Sequence, residues 1–141
     1  MEDDMKTLLH KSIILTLATI FGLSILATTA VTAADDPSIK GVLREDIKAS
    51  MMSFIDSTMI SDTYYIYDAV GGRLLELKFA KLHEGIVKKG DFYVSCADFI
   101  DKNGTKVDLD FLVIKDGDNL KTIQAVVHSL DGKKRKYHLE G

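Results

Sequence analysis

Residues 92–114 read FYVSCADFIDKNGTKVDLDFLVI, two apolar-rich runs on either side of Asn103-Gly104. An Asn-Gly pair between such runs is a strong hairpin signal, because both residues tolerate the positive φ that a two-residue turn requires. We therefore predict two antiparallel strands, over residues 92–101 and 106–114, that are joined by this turn.

A two-residue turn also fixes which side chains share a face, because it places Lys102 opposite Thr105. One face of the hairpin is then expected to lie in the core. Its facing pairs are Val94 with Val113, Cys96 with Phe111, Asp98 with Leu109, and Ile100 with Val107.

The other face of the hairpin is the predicted binding surface. Its residues are Tyr93, Phe99, Asp108, Asp110, Leu112 and Ile114. This face combines apolar side chains with a polar rim, as contact surfaces do, so we expect a second copy of the chain or an envelope protein to cover it.

Asp98 does not fit the predicted core face, because a buried acid must be paired or functional. We expect a β-bulge near Ala97 that turns Asp98 outward and Phe99 inward. The alternative makes Asp98 a buried polar group, and His128 is a second candidate for that role.

Around the hairpin, the spacing of apolar residues predicts one helix and six strands. Asp36 and Pro37 have the residue types of a helix start, and apolar residues then recur every three or four positions, so an amphipathic helix is predicted over 37–58. Alternation with period two predicts strands over residues 63–67, 73–83, 92–101, 106–114, 120–130 and 135–139.

This order predicts an α+β fold with one long N-terminal amphipathic helix packed on a curved antiparallel meander of 5–6 strands. The order resembles cystatin-like and NTF2-like folds, in which a curved sheet grips a long helix. The resemblance lies in the order of elements alone. Since the sequence has no diagnostic motif of either family, the resemblance assigns no site residue.

The first 33 residues have the pattern of a secretory signal. Basic residues precede an apolar run over 13–26, and small residues lead to Ala33, after which cleavage is expected. The alternative is an uncleaved anchor over 12–31, which would be the chain's only membrane contact. We therefore predict a signal peptide over 1–33, one domain over 34–141, and a periplasmic or secreted location.

Composition excludes several classes of function. The formal net charge of −3 offers no basic surface for nucleic acid. Cys96 is the only cysteine, so no internal disulfide forms; we expect a small core side chain, with a reactive thiol as the alternative.

No metal or catalytic motif is present in the sequence. The Asp and Asn residues of 101–118 lack the spacing of a calcium loop and are the residue types that turns favour. His83, His128 and His138 have no metal-ligand spacing. We therefore predict no catalytic residue, no metal and no cofactor.

Two functions remain open on the sequence. The first is an exported, non-enzymatic binding or assembly module that acts through the open sheet face. The second is a small hydrolase or isomerase with its pocket between helix and sheet, for which Asp98 and His128 are candidate lining residues.

Overall fold

A computed structural model describes residues 34–136 of the 141-residue chain. The predicted signal peptide and residues 137–139 of the last predicted strand lie outside that range. Within it the elements are α1 (Val42–Thr58), β1 (Tyr64–Asp68), β2 (Arg73–Lys89), β3 (Phe92–Asp101), β4 (Lys106–Asp116), β5 (Asn119–Leu130) and β6 (Lys133–Lys134).

The six strands form one open antiparallel sheet in which each strand lies beside its sequence neighbour, with β1 and β6 at the edges. The prediction of an α+β fold with an antiparallel meander is therefore confirmed. Among residues 34–136, no helix is long and apolar enough to cross a membrane.

The helix starts at Val42, later than the predicted residue 37. The Asp36 carboxylate accepts hydrogen bonds from the backbone N–H and the hydroxyl of Ser38, at 2.9 and 2.7 Å, and so forms a turn instead of a helix cap. Gly41 then reverses the backbone with a φ of 60° immediately before the helix. The predicted end at Thr58 is correct.

The core lies between α1 and one face of the sheet, which we call the helix-facing side. Ile47, Met51 and Ile55 of the helix are fully buried there. Two aromatic side chains of the sheet, Phe99 and Phe111, lie at its centre with ring centroids 6.4 Å apart.

The β3–β4 turn is one residue longer than predicted. Gly104 N donates to Asp101 O, and Asp101 N donates to Thr105 O, so three residues form the loop and Gly104 takes a φ of 82°. Phe99 therefore pairs with Val107, and Cys96 pairs with Asp110 rather than with Phe111.

This shift of one residue moves every side chain of β3 to the opposite face. Tyr93 and Phe99, predicted on the binding surface, are buried on the helix-facing side, with exposures of 5% and 0%. Cys96 and Asp98, predicted on the core face, lie on the other face instead. The core-face prediction for β4 is correct, because Leu109 and its like-facing neighbours are buried in the core.

Two strands contain irregularities that the sequence analysis did not place. β2 does not end at His83 but continues to Lys89, with shifts in register between Phe79 and Lys81 and between Leu82 and Ile86. β5 has a shift opposite Asp108 and Leu109. The prediction of a bulge at Ala97 in β3 is wrong, since β3 pairs with β4 without interruption. The register shifts lie in β2 and β5 instead.

The last strand is also different from the prediction. β6 consists of Lys133–Lys134, and Arg135 follows the strand rather than beginning it. The Arg135 side chain instead forms an ion pair with Asp68, at the end of β1.

Candidate metal centre

The sheet face that points away from α1, here called the distal face, carries a compact group of metal-binding side chain types. We call this group the His–Cys–Asp cluster. Its members are His83 of β2, Cys96 and Asp98 of β3, Asp108 and Asp110 of β4, and His128 of β5.

The two central strands position the cysteine and the carboxylates. Cys96 pairs with Asp110, and Asp98 pairs with Asp108. Because alternate residues of a strand point to the same face, these four side chains form two adjacent rows on the distal face. Cys96 and Asp110 are buried, with exposures of 5% and 3%.

Both histidines come from the irregular parts of the flanking strands. His83 lies between Leu82 and Ile86, where β2 slips relative to β3. His128 is the extra residue in β5, since Val127 pairs with Leu109 while Ser129 pairs with Asp108. A bulge redirects a side chain out of the regular alternation, and bulges often occur beside functional sites.

One carboxylate oxygen joins the cysteine to a histidine. Asp110 Oδ1 accepts a hydrogen bond from the Cys96 thiol at 2.8 Å and is also within hydrogen-bond distance of His128 Nδ1, at 2.8 Å. His128 Nδ1 is also 4.0 Å from Asp108 Oδ2.

The second histidine has its own carboxylate partner. His83 Nε2 lies 2.9 Å from Asp98 Oδ1, and the other oxygen of that carboxylate is 3.7 Å from Lys81 Nζ. Asp98 is therefore a partly exposed, paired acid. The expectation that it turns away from the core is correct, although the change of register, and not a bulge in β3, is the reason.

Asp108 is the least satisfied member of the cluster. Its Oδ1 is buried and has no hydrogen-bond partner among residues 34–136. Burial raises the pKa of Asp108 to about 6, against the opposing effect of the nearby histidines. A buried carboxylate oxygen without a donor is costly, and a cation beside it would remove that cost.

The Cys96 thiol is held in its protonated form. Burial raises its pKa, and the negative charges of Asp110 and Asp108 raise it further. This environment disfavours a free nucleophilic thiolate. Coordination to a divalent metal would reverse that preference, because a metal-bound thiol gives up its proton.

The potential ligand atoms form two groups of three. In one, single ligand atoms of His83, Cys96 and Asp108 all lie within 4.8 Å of one another, and in the other the same holds for Cys96, Asp110 and His128. Thiolate, imidazole and carboxylate are the ligands of zinc. Calcium and magnesium prefer oxygen ligands alone. The donor set therefore fits a borderline transition metal such as Zn²⁺.

The remaining predicted site residues lie outside the cluster. Leu112 and Ile114 are half-buried on the distal face, further along β4 from Asp110. Asp98, Asp108, Asp110 and His128 are thus the predicted residues that the structure brings together. Asp98 and His128, which the enzyme alternative places between helix and sheet, lie on the distal face instead.

The expected place for an enzyme pocket is a groove of about 720 Å³ between α1 and the β4–β5 turn. Its lining within the described range includes Ser50, Phe54 and Thr122 but neither histidine nor cysteine. Ser50 and Thr122 already bond to each other, at 2.9 Å between their hydroxyl oxygens. The groove therefore contains neither Asp98 nor His128, the two lining residues that the enzyme alternative named.

Sequence reasoning missed His83 and Cys96 as site residues. The one available signal was the Asp-x-Asp pattern at Asp108 and Asp110, which places two carboxylates on one face of a strand. With a three-residue loop at Gly104, that signal would also have placed Cys96 directly opposite Asp110.

Comparisons with protein-family models, with curated proteins and with solved structures find no match to this chain.

Proposed function

We propose that this chain is an exported binding module whose ligand is a divalent transition-metal ion. The observation that carries the proposal is the convergence of His83, Cys96, Asp108, Asp110 and His128 from four strands onto one part of the distal face. A thiol, two imidazoles and two carboxylates are the side chain types that bind zinc, and here they meet from distant parts of the chain.

The local contacts support metal binding over a purely structural polar network. A structural network should satisfy each of its buried groups. Here Asp108 Oδ1 has no donor among the described residues, and the Cys96 proton is held against a carboxylate. A divalent ion would take the place of that proton and would face both carboxylates.

The export part of the proposal rests on the sequence pattern of residues 1–33. Outside the cytosol a lone cysteine is exposed to oxidants. Burial of Cys96 and its bond to Asp110 keep the thiol protonated and therefore slow to oxidise, which suits a ligand that must remain available in that compartment.

The test is a titration of the full chain, stripped with a chelator and kept reduced, with Zn²⁺ and with Co²⁺. We expect saturable Zn²⁺ binding by calorimetry and a thiolate-to-cobalt charge-transfer band in the near ultraviolet. Cys96→Ser should abolish the band, and His128→Ala should weaken Zn²⁺ binding at least tenfold. Asp118→Asn, in the exposed β4–β5 turn, is the matched control and should bind like the original chain.

Folding of the variants is checked by circular dichroism. Cys96→Ser should lower the stability of the metal-free chain by only about 1 kcal/mol, because the hydrogen bond between Asp110 and His128 remains. Absence of Zn²⁺ binding by the folded original chain, or binding that survives unchanged in Cys96→Ser and His128→Ala, would refute the proposal.

A further inference from the structure

Cys96 is the one residue that belongs to both groups of ligand atoms. We propose that the centre holds two divalent ions, with the Cys96 thiolate bridging them. This inference rests on the proposed function and adds to it the number of ions and the role of the sulfur.

The two groups of ligand atoms contain the same three side chain types. On one side are an imidazole from His83 and a carboxylate from Asp108, and on the other an imidazole from His128 and a carboxylate from Asp110. The shared sulfur completes both. Three protein ligands with one remaining position is an arrangement that zinc adopts where a water or substrate supplies the fourth ligand.

The spacing along the strands separates the two positions. Asp108 and Asp110 are two residues apart on one face of β4, which puts their Cα atoms about 7 Å from each other. The histidines enter from opposite sides, since β2 and β5 flank the central pair β3 and β4. Each ion therefore has its own imidazole and its own carboxylate.

A sulfur between the two positions satisfies the distances that two metals need. At about 2.3 Å per zinc–sulfur bond, two ions on one thiolate are at most about 4.6 Å apart. Protein sites with two metals have separations of about 3.5 to 4 Å. Both groups already lie within 4.8 Å of Cys96 Sγ, so small side chain movements suffice.

Charge favours two ions over one. A single divalent ion does not neutralise the thiolate together with Asp108 and Asp110, and Asp98 adds a further carboxylate beside His83. Two ions offset this excess of negative charge, and Lys81 Nζ lies 3.7 Å from Asp98 as a further positive group. Asp98 would then orient the His83 imidazole without binding the metal itself. A metal-binding histidine commonly has a carboxylate on its other ring nitrogen in this way.

The experiment counts ions per chain. The chelator-stripped, reduced full chain is loaded with Zn²⁺ and its mass is measured under native conditions, with inductively coupled plasma analysis of the same sample. We expect two ions per chain, and one ion per chain in each of His83→Ala and His128→Ala. Asp118→Asn is the control and should retain two.

The bridging role has a separate readout. In a Co²⁺ titration a bridging thiolate makes the charge-transfer band grow over two equivalents, whereas a sulfur bound to one ion makes it saturate after the first. Cys96→Ser should weaken both ions together. If this variant does not fold, the two histidine variants still decide the number of ions.

The outcomes separate the inference from the proposed function. One ion in the original chain, lost in either histidine variant, overturns the two-ion centre and leaves a metal-binding module. Two ions whose affinities are unchanged in Cys96→Ser overturn the bridge. No bound ion overturns both proposals.

Discussion

Asp68 Oδ2 lies 2.5 Å from Arg135 Nη2 and joins the two edges of the open sheet. Asp68 is the last residue of edge strand β1, and Arg135 directly follows edge strand β6. The carboxylate is 1% exposed and also accepts from the backbone N–H of Val70, at 3.2 Å. One buried acid thus fixes both the β1–β2 turn and the segment after β6.

This pair predicts how stability depends on pH. Burial opposes ionisation of Asp68, but the hydrogen bonds from Gly71 N and from Arg135 outweigh it and hold the pKa of Asp68 below its ordinary value. A lowered pKa stabilises the folded state above the unfolded value of about 4, and that contribution is lost as pH falls further. We therefore expect the free energy of unfolding to decrease below about pH 4.

Asp68→Asn should remove this contribution. Because it leaves the largely buried Arg135 without its counter-charge, we expect a loss of about 3 kcal/mol at pH 7 in urea unfolding, with a smaller loss at pH 3. The exposed Asp118→Asn should change stability by less than about 0.5 kcal/mol. A difference between Asp68→Asn and the original chain that is equal at pH 7 and pH 3 would show that the charge of Asp68 is not the cause.

A second prediction concerns the close approach of Gly71 to the same carboxylate. A Cβ at position 71 would lie 2.4 Å from Asp68 Oδ2, so Gly71→Ala forces the carboxylate away from Arg135. We expect thermal denaturation to show a loss of about 2 kcal/mol, as other disruptions of buried polar contacts do.

The neighbouring Gly72 is the control for this substitution. Its φ is 64°, and a Cβ there would meet nothing within 4 Å. Asn adopts that backbone conformation more readily than other side chains, so Gly72→Asn should cost less than Gly71→Ala. Equal destabilisation by the two variants would mean that the turn backbone, and not the Asp68 contact, is sensitive.

How well the sequence predicts the buried face of a strand depends on how regularly apolar and polar residues alternate in it. In β4, strict alternation of Val107 and Leu109 with Asp108 and Asp110 determines the core face whatever the turn. In β3, apolar residues occupy both sets of alternate positions, so the pattern does not identify the buried face. Only the length of the loop after β3 decides which face is buried. Asn103-Gly104 suits a two-residue turn as well as a three-residue loop, and the shorter loop was the wrong choice.

The cluster itself depends on features that no local pattern indicates. His83 and His128 reach it through bulges, and a bulge adds a residue without a characteristic motif. Gly85 is the one indication, since a glycine within a strand often marks a bulge, but the predicted strand ends before it, at His83. Metal-ligand spacing in the sequence does not find the cluster, because its residues come from four strands.

The last prediction concerns self-association through the distal face, which remains a proposal. The corrected register removes Tyr93 and Phe99 from that face. Among the described strand residues of that face, the most exposed apolar side chains are Tyr67 and Leu74, which are directly paired between β1 and β2 and are 62% and 60% exposed. Leu112 is half-buried and contributes less to such a patch.

If two copies associate through this face, Leu74→Lys should lower the mass measured by light scattering from that of two chains to that of one. Leu74 is exposed in the single chain, so the circular dichroism spectrum should not change. Leu112→Lys should have the smaller effect on mass and the larger cost in stability. The control is Val42→Lys, which replaces an apolar residue that is 77% exposed at the start of α1 and should leave the mass unaltered. A monomer at high micromolar concentration, or dissociation by Val42→Lys as well, would rule out a homodimer through the distal face.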